Sequence, residues 1–376
     1  MTHQNGRMLG NCSRRFLLAT PLLLWICSGC SGSTSLPTCT GSPIFSVAPV
    51  AVETLSHIVP LGHLNPSGHT FPTDHLYVLA TEETTVFAPG DVTITSITEQ
   101  NNLTAGTTDY QIAFAPCSGV TAYYYHIDAL AAALSATAGG FTDCTSYSTG
   151  GTSFRNCTAS PDLAVSAGEP VGTVDGTFDF GMHDTRMTPL TFANASRWTG
   201  SSEPDNLHVA CPLDYYPSDL RTTLETYLGG STGGAAEPSR TVAPLCGEID
   251  QDIAGTAQGV WFAAGTVSTT PEDPHLALVH DNIDPAIPVI SNGTSMGTLA
   301  SGAYQFTISP TGQINRDFGD ITADGSIYCF ENFGPSNTIL LLQLTSETTL
   351  RVEGESAPDC GSGPWTFGSA FTEYER

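Results

Sequence analysis

Three histidines and one aspartate in the first half of the chain lie in short runs of distinctive composition. His69 and Asp74 belong to Gly68-His69-Thr70-Phe71-Pro72-Thr73-Asp74-His75, His126 to Tyr124-Tyr125-His126-Ile127, and His183 to Phe178-Asp179-Phe180-Gly181-Met182-His183. Imidazole and carboxylate are the groups from which zinc sites and proton-transfer sites are built. Each residue also has an ordinary structural explanation. His69 suits a hydrogen-bonded histidine in a turn, and Asp74 suits a side chain that bonds the backbone at the start of a strand. His126 suits a buried histidine with its hydrogen bonds satisfied, and His183 follows the alternation of a core strand. The order of the four along the chain is therefore more informative than any single one.

That order resembles the lysostaphin-type zinc endopeptidases, which have a duplicated-hybrid-motif β fold. Two further runs fall in place between the others: Val86-Phe87-Ala88-Pro89-Gly90-Asp91-Val92 and Val165-Ser166-Ala167-Gly168-Glu169-Pro170-Val171-Gly172. In that family an H-x-x-x-D near the first strand and the second His of an H-x-H near the last strand bind zinc, and a Y-x-H-L run carries the catalytic His. The resemblance covers roughly residues 60 to 185.

Carried over residue by residue, the resemblance implies that His69, Asp74 and His183 bind zinc and that His126 is the catalytic base. Two imidazoles and one carboxylate leave a fourth zinc position open for a water that the metal acidifies. Zinc is therefore the cofactor that we expect if the site is intact.

Two departures from the family pattern affect this expectation. The gap between His69 and Asp74 is one residue too long, so on a strand Asp74 would face away from His69 unless Pro72 bends the chain. Gly181 stands where the family has the first His of H-x-H, which removes one of the two histidines that handle the proton. The second departure favours a domain that binds a ligand or scaffolds other factors without hydrolysis.

The elements that position these residues are predicted to be short strands. β-prone runs such as His75–Leu79, Val92–Ile97 and Tyr110–Phe114 alternate with Gly, Pro and Asp, and similar runs return after residue 240. Helices are predicted at Ile127–Ala138 and at Ser218–Leu228.

The sequence thus predicts a mainly β protein with few short helices, in which a duplicated-hybrid-motif-like β-sheet domain precedes a second β-rich module. The predicted divisions are a lipoprotein signal peptide at 1–29, a tether at 30–46, an endopeptidase-like β domain at 47–192, a connector rich in Cys, Pro and aromatic residues with a short helix and a Gly/Ser loop at 193–239, and a C-terminal β-rich domain at 240–376. The C-terminal domain matches no catalytic pattern, so its role is left open.

The N-terminus has the charged, apolar and small-residue order of a signal peptide. Its apolar run, Phe16–Ile26, is about half of the ~20 residues that span a bilayer. Ser28-Gly29-Cys30 resembles the bacterial lipobox, although Cys27 replaces the usual Leu, and Ser13–Leu18 also resembles a twin-arginine signal without its spacer residue. We expect an exported protein, lipid-anchored through Cys30 to the cell membrane or outer membrane and facing the periplasm or the cell surface.

The cysteine count agrees with export. Cleavage before Cys30 discards Cys12 and Cys27, and lipidation uses Cys30 itself, so eight of the 11 cysteines remain. An even set in an exported chain predicts disulfides. Cys144–Cys157 is the one pairing that we predict, because the Gly/Ser/Thr-rich stretch between them has the composition of a hairpin.

The chain is strongly acidic, with a net charge of −26, and all 11 of its basic residues are Arg. This balance argues against a nucleic-acid partner. Two hypotheses remain. In the first, a lipid-anchored envelope protein with a degenerate metalloendopeptidase-like domain binds peptidoglycan or a peptide without hydrolysis. In the second, a divergent zinc hydrolase cleaves peptide or peptidoglycan cross-link bonds; a metal with a purely structural purpose lies between the two.

Overall fold

The computed structural model describes residues 36–149, 151–199, 206–230 and 238–376. The predicted signal peptide and the lipidation site Cys30 lie outside the described residues. Within them, Leu36–Arg376 forms one compact unit.

Most of the regular structure in this unit is β. The strands are β1 Leu55–Val59, β2 His75–Ala80, β3 Thr84–Phe87, β4 Val92–Asn102, β5 Thr107–Cys117, β6 Val120–Ile127, β7 Ala129–Leu130, β8 Asp143–Thr149, β9 Thr152–Ala159, β10 Leu163–Val165, β11 Pro170–Val174, β12 Thr177–Asp184, β13 Gly259–Ala263, β14 Leu276–His280, β15 Pro288–Asn292, β16 Gly302–Gln305, β17 Tyr328–Phe330, β18 Ile339–Ser346, β19 Thr349–Glu355 and β20 Thr372–Glu375. The helices are α1 Ala132–Thr137 and α2 Ser218–Glu225, with 3-10 turns at Val52–Thr54, Ala195–Trp198, Asn206–His208, Pro212–Tyr215 and Phe318–Asp320. The prediction of a mainly β protein with few short helices is confirmed.

Among the described residues the strands form three antiparallel sheets. The largest has the order β1-β2-β12-β6-β5-β4-β9-β8, with β10 paired to β4, and a small sheet has the order β3-β11-β7. The C-terminal strands form the third sheet, in the order β16-β15-β14-β13-β20-β19-β18-β17. The last strand of the first half, β12, therefore lies between β2 and β6, which brings three distant parts of the sequence side by side.

The two predicted helices are shorter than expected. The N–H of Asp128 donates to the carbonyl of Thr173, and Ala129–Leu130 form the strand β7, which pairs with β11. The first helix therefore begins only at Ala132. α2 begins at Ser218 as predicted, with Pro217 at the N-cap position, and it ends at Glu225 rather than at Leu228. In both places pairing or turn geometry outweighs the helix propensity of the sequence.

The first sheet shares its hydrophobic core with part of the third. This core includes Phe45, Phe178 and Phe180 and continues into Phe262 and Val279 of the C-terminal half. A separate core lies within the C-terminal sheet. The predicted domain boundaries at 192 and 239 stay predictions, but the packing ties the two sheets together.

Four disulfides link all eight cysteines of the described chain: Cys39–Cys117, Cys144–Cys157, Cys211–Cys246 and Cys329–Cys360. The predicted Cys144–Cys157 pair is confirmed and joins neighbouring strands β8 and β9. Such a set is typical of exported proteins. Among the described residues, no helix has the length and apolar character that crossing a membrane requires.

Candidate active site

The candidate site lies on one face of the first sheet, where β2, β12 and β6 run side by side. Alternation along β12 sends Phe178 and Phe180 into the core, and Asp179, Gly181 and His183 to the opposite face. Residues that face each other in an antiparallel pair share a face of the sheet. The register places His75 of β2 and Tyr123 of β6 on either side of Gly181, and Tyr77 and Tyr125 on either side of Asp179.

All four residues predicted from the sequence line one cavity on this face, with a volume of about 630 Å³. They are His69, Asp74, His126 and His183. The extra residue between His69 and Asp74 does not separate them, because residues 70–74 form a loop to which strand alternation does not apply. The structure brings the predicted residues together, while their roles as ligands or base stay predictions.

Asp74 lies at the centre of a small network. Its Oδ1 is 2.8 Å from His75 Nδ1, and its Oδ2 is 3.7 Å from His183 Nε2. The hydroxyl of Tyr123 is also directed at this carboxylate. Burial opposes ionisation here, but His183 and His75 outweigh it and hold the pKa of Asp74 well below its usual range. Asp74 is thus an anion that orients its neighbours.

His75 and Asp179 are the site residues that sequence reasoning missed. His75 Nε2 points away from Asp74 and lies 3.5 Å from Asp179 Oδ2. Burial by itself lowers the pKa of His75, but Asp179 and Asp74 reverse the effect and bring it to about 8. Asp179 is almost fully buried, and burial raises its pKa. Period-two alternation from His183 back along β12 could have placed Asp179 on the site face.

His126 makes a second pair of this kind. Its Nδ1 is 2.7 Å from Asp109 Oδ2, and its Nε2 is 3.5 Å from the same Asp179 Oδ2 that faces His75. The bond to Asp109 raises the pKa of His126. The backbone of His126 is left-handed, with φ 63°, a conformation that costs a residue with a Cβ about 1–2 kcal/mol. Strain of this kind at a residue that lines a pocket points to a functional constraint.

Three of the buried polar atoms without a hydrogen-bond partner among the residues that line the cavity are His75 Nε2, His183 Nε2 and Asp179 Oδ1. Buried polar atoms without partners are rare in folded proteins and often mark a site for an ion or ligand. Within the described residues, however, no three His, Cys, Asp or Glu side chains gather their donor atoms closely enough to hold a metal ion as they stand.

His69 lies beside this group on the loop before β2. Its ring centre is 5.5 Å from that of His75. Burial, reinforced by the nearby His75, lowers the pKa of His69 to about 4. The imidazole of His69 is therefore neutral at physiological pH, which is the state that binds metals.

The space that a side chain at 181 would need is filled by Tyr123. A Cβ on Gly181 would fall well under 3.0 Å from ring and hydroxyl atoms of Tyr123. The packing of the tyrosine ring therefore favours glycine at position 181. No imidazole fits at this point of β12 while Tyr123 keeps its place.

The rest of the cavity combines amides, aromatic rings and acidic groups. Gln100 and Gln111 line it from β4 and β5, and Tyr147 and Phe154 stack on each other at 5.3 Å on β8 and β9. Glu272 reaches it from the C-terminal half, and among the described lining residues there is no Arg. Such a wall suits an uncharged or cationic ligand with peptide-like hydrogen-bonding groups.

No protein-family model matches the chain, and no curated protein matches it. Among solved structures the chain is weakly similar to the NMR solution structure of lysostaphin. The likeness covers 89% of this chain and 92% of that chain, with 10% identity and a TM-score of 0.23. At this TM-score it establishes neither the fold nor the activity of this chain.

Proposed function

We propose that this protein is a zinc-dependent hydrolase of peptide bonds, with its metal site between β2 and β12. The observation that carries the proposal is the convergence of His75 Nε2 and His126 Nε2 on Asp179 Oδ2, each at 3.5 Å. Zinc–ligand bonds of about 2.0–2.2 Å in a tetrahedron set neighbouring ligand atoms about 3.3–3.5 Å apart. His75 and Asp179 therefore already have the separation that a shared zinc ion requires, and binding would release the proton that Asp179 and Asp74 favour on His75.

The surrounding groups fit the same interpretation. Histidines that bind metals usually donate their other N–H to a carboxylate, which fixes the ring and its tautomer. Asp74 stands in that relation to His75, and both His75 and Asp179, which carry the partnerless atoms Nε2 and Oδ1, line the cavity. We assign His69 as the third ligand, which closes on the ion when it binds. The set remains two imidazoles and one carboxylate.

This assignment differs from the one that the sequence implied. His69 is common to both, but His75 replaces Asp74, and Asp179 replaces His183. Asp74 already holds His75, and its other oxygen faces His183, so both act better as supports than as ligands. In this assignment an imidazole ligand lies on β2 and the carboxylate ligand lies on β12. The family motifs instead place the carboxylate ligand near the first strand and an imidazole ligand near the last strand.

A zinc ion held by His75, Asp179 and His69 would acidify a bound water and polarise the carbonyl of the bond to be cleaved. Asp109, 2.7 Å from Nδ1 of His126, would hold the tautomer in which Nε2 carries the lone pair. In that state His126 would be placed to take a proton from a water and return it to the leaving amine. Gln100 and Gln111 offer donors and acceptors to the peptide groups on either side.

The predicted anchor gives the activity a location. Lipidation at Cys30 would tether the protein to the cell membrane or outer membrane, with peptides or peptidoglycan cross-links of the envelope within reach. Four disulfides agree with that setting.

A second candidate function is binding of the same ligands without hydrolysis. Tyr123 fills the position above Gly181, so no imidazole can stand there to share the proton transfer. In this case the cavity recognises peptide groups and His126 is only one of its lining residues.

The test is zinc content of the purified mature protein without an affinity tag, measured by elemental analysis at neutral pH. We expect about one zinc per chain in the wild type and loss of it in His75→Ala and Asp179→Ala, because each removes a ligand. His183→Ala should keep zinc, as should the control His280→Ala, whose side chain lies outside the cavity. Loss in His183→Ala with retention in Asp179→Ala would favour the ligand set implied by the sequence.

Cleavage of a fluorescence-quenched peptide mixture then separates the two functions. Hydrolysis requires that the wild type cleaves and that His126→Gln keeps its zinc but loses cleavage by about 100-fold or more. Zinc without cleavage supports the binding function. A wild type that neither contains nor takes up zinc rules out the hydrolase.

A further inference from the structure

The C-terminal sheet contributes one wall of the cavity. Thr269, Thr270 and Glu272 line it from the segment between β13 and β14. The neighbouring Asp273 accepts a bond of 2.6 Å from the hydroxyl of Thr149, at the end of β8. This segment therefore lines the cavity from the C-terminal part of the chain, for which the sequence patterns indicated no role.

The segment is fixed on its other side as well. Phe71 N–H donates to Glu272 Oε2 at 2.9 Å, and the Phe71 ring stacks on His275 at 5.1 Å. The hydroxyl of Ser291 donates to Thr70 C=O at 2.7 Å. These contacts thus join the loop that carries His69 to the wall that carries Glu272.

We propose that Glu272 is a ligand-binding residue of this cavity, where its carboxyl group hydrogen-bonds a peptide group of the bound molecule. Glu272 Oε2 accepts the Phe71 N–H, and the residue, which is half-buried, lines the cavity. The ligand class rests on the proposed function, whereas the position of Glu272 does not.

The chemistry of the cavity suits a neutral acid at this point. Burial raises the pKa of Glu272 to about 8, and the nearby anion Asp74 adds to the rise, while the Phe71 N–H and His75 oppose it. No Arg among the described lining residues offsets this rise, and a carboxyl group that carries its proton can donate as well as accept a hydrogen bond.

The experiment measures binding of a capped dialanine, N-acetyl-Ala-Ala-amide, by NMR titration of protein stripped of metal with a chelator. We expect Glu272→Ala to weaken binding about five- to tenfold, which is the worth of one hydrogen bond. Glu272→Gln should bind within about twofold of the wild type, because its amide keeps both an acceptor for Phe71 N–H and a donor for the ligand. The matched control is Glu331→Ala, which removes a carboxylate that accepts a backbone N–H from Cys360 outside the cavity.

Three results overturn the assignment. They are Glu272→Ala binding as well as the wild type, Glu272→Gln binding as weakly as Glu272→Ala, or a wild type that does not bind the probe. If affinity falls only in step with the melting temperature across the variants, the role of Glu272 is structural and the proposal fails too. Because the protein is metal-free, a failure of the zinc proposal leaves this test intact.

Discussion

A methyl group at position 181 is the sharpest perturbation that the site offers. In Gly181→Ala the new Cβ would lie well under 3.0 Å from three atoms of Tyr123, whereas carbon atoms in contact are ordinarily about 3.5–4.0 Å apart. The ring must therefore retreat by more than about 1 Å, which also moves its hydroxyl away from Asp74. Overpacking of this kind costs about 1–3 kcal/mol, and the conformational gain of Gly→Ala returns less than about 1 kcal/mol. We expect a net loss of about 1–2 kcal/mol.

The assay is urea unfolding of the oxidised protein, followed by intrinsic fluorescence. Gly297→Ala is the control, because a Cβ there meets nothing within 4 Å; its stability should stay within about 0.5–1 kcal/mol of the wild type. Tyr123→Ala alone should cost about 3–5 kcal/mol as a lost buried aromatic ring. Once the ring is gone, the methyl group introduced by Gly181→Ala has room, so the double variant should be more stable than the two single effects predict by at least about 1 kcal/mol.

Two results would refute this reasoning. If Gly181→Ala unfolds like Gly297→Ala, the ring does not occupy the position above residue 181. If the effects of Gly181→Ala and Tyr123→Ala simply add, the two positions are not in contact. Either result would also remove the reason for the glycine, and with it the main support for the binding-only function.

Two further predictions concern an acid-sensitive bond and a strained backbone. Asp184 accepts bonds from Arg186 and from the Tyr215 hydroxyl at 2.6–2.7 Å, and although burial opposes ionisation these partners lower its pKa from 3.8 to about 2. A depressed carboxyl pKa contributes stability that is present above about pH 4 and is lost as the pH falls towards 2. Asp184→Asn should therefore lower the free energy of unfolding by about 1–2 kcal/mol at pH 6, after discounting for the exposed Arg186, and by almost nothing at pH 2. An equal loss at both pH values, measured by urea unfolding, would contradict this linkage. His126 has φ 63°, and both His126→Gly and His126→Ala lose its bond to Asp109. Because only the alanine variant keeps the backbone strain, His126→Gly should unfold at a higher urea concentration than His126→Ala; equal midpoints for the two variants would show that the strain is absent.

The strands could be predicted from the sequence because the alternation of apolar and polar residues along a strand is a local property. In Phe178–His183 the apolar side chains alternate with Asp179, Gly181 and His183, and the strand β12 follows directly. The same local logic found the Cys144–Cys157 hairpin, whose two strands are neighbours in sequence. The predicted helix start at Ile127 was wrong because residues 129–130 pair with β11, more than 40 residues away in the chain, and this pairing sets their backbone conformation.

The membership of the site depends on register, which no local pattern contains. His75 and Asp179 are about 100 positions apart, and only the pairing of β2 with β12 sets their side chains on one face at 3.5 Å. Short motifs led to Asp74 and His183 instead, because a motif counts residues along the chain while a ligand set depends on which side chains converge in space. In the same way Glu272 became a site residue only when the C-terminal sheet packed against the first. Local patterns in the sequence thus specified the strands and the inventory of imidazoles and carboxylates. Which of these groups meet was settled by cross-strand pairing and sheet packing, because both join residues that are far apart in the chain.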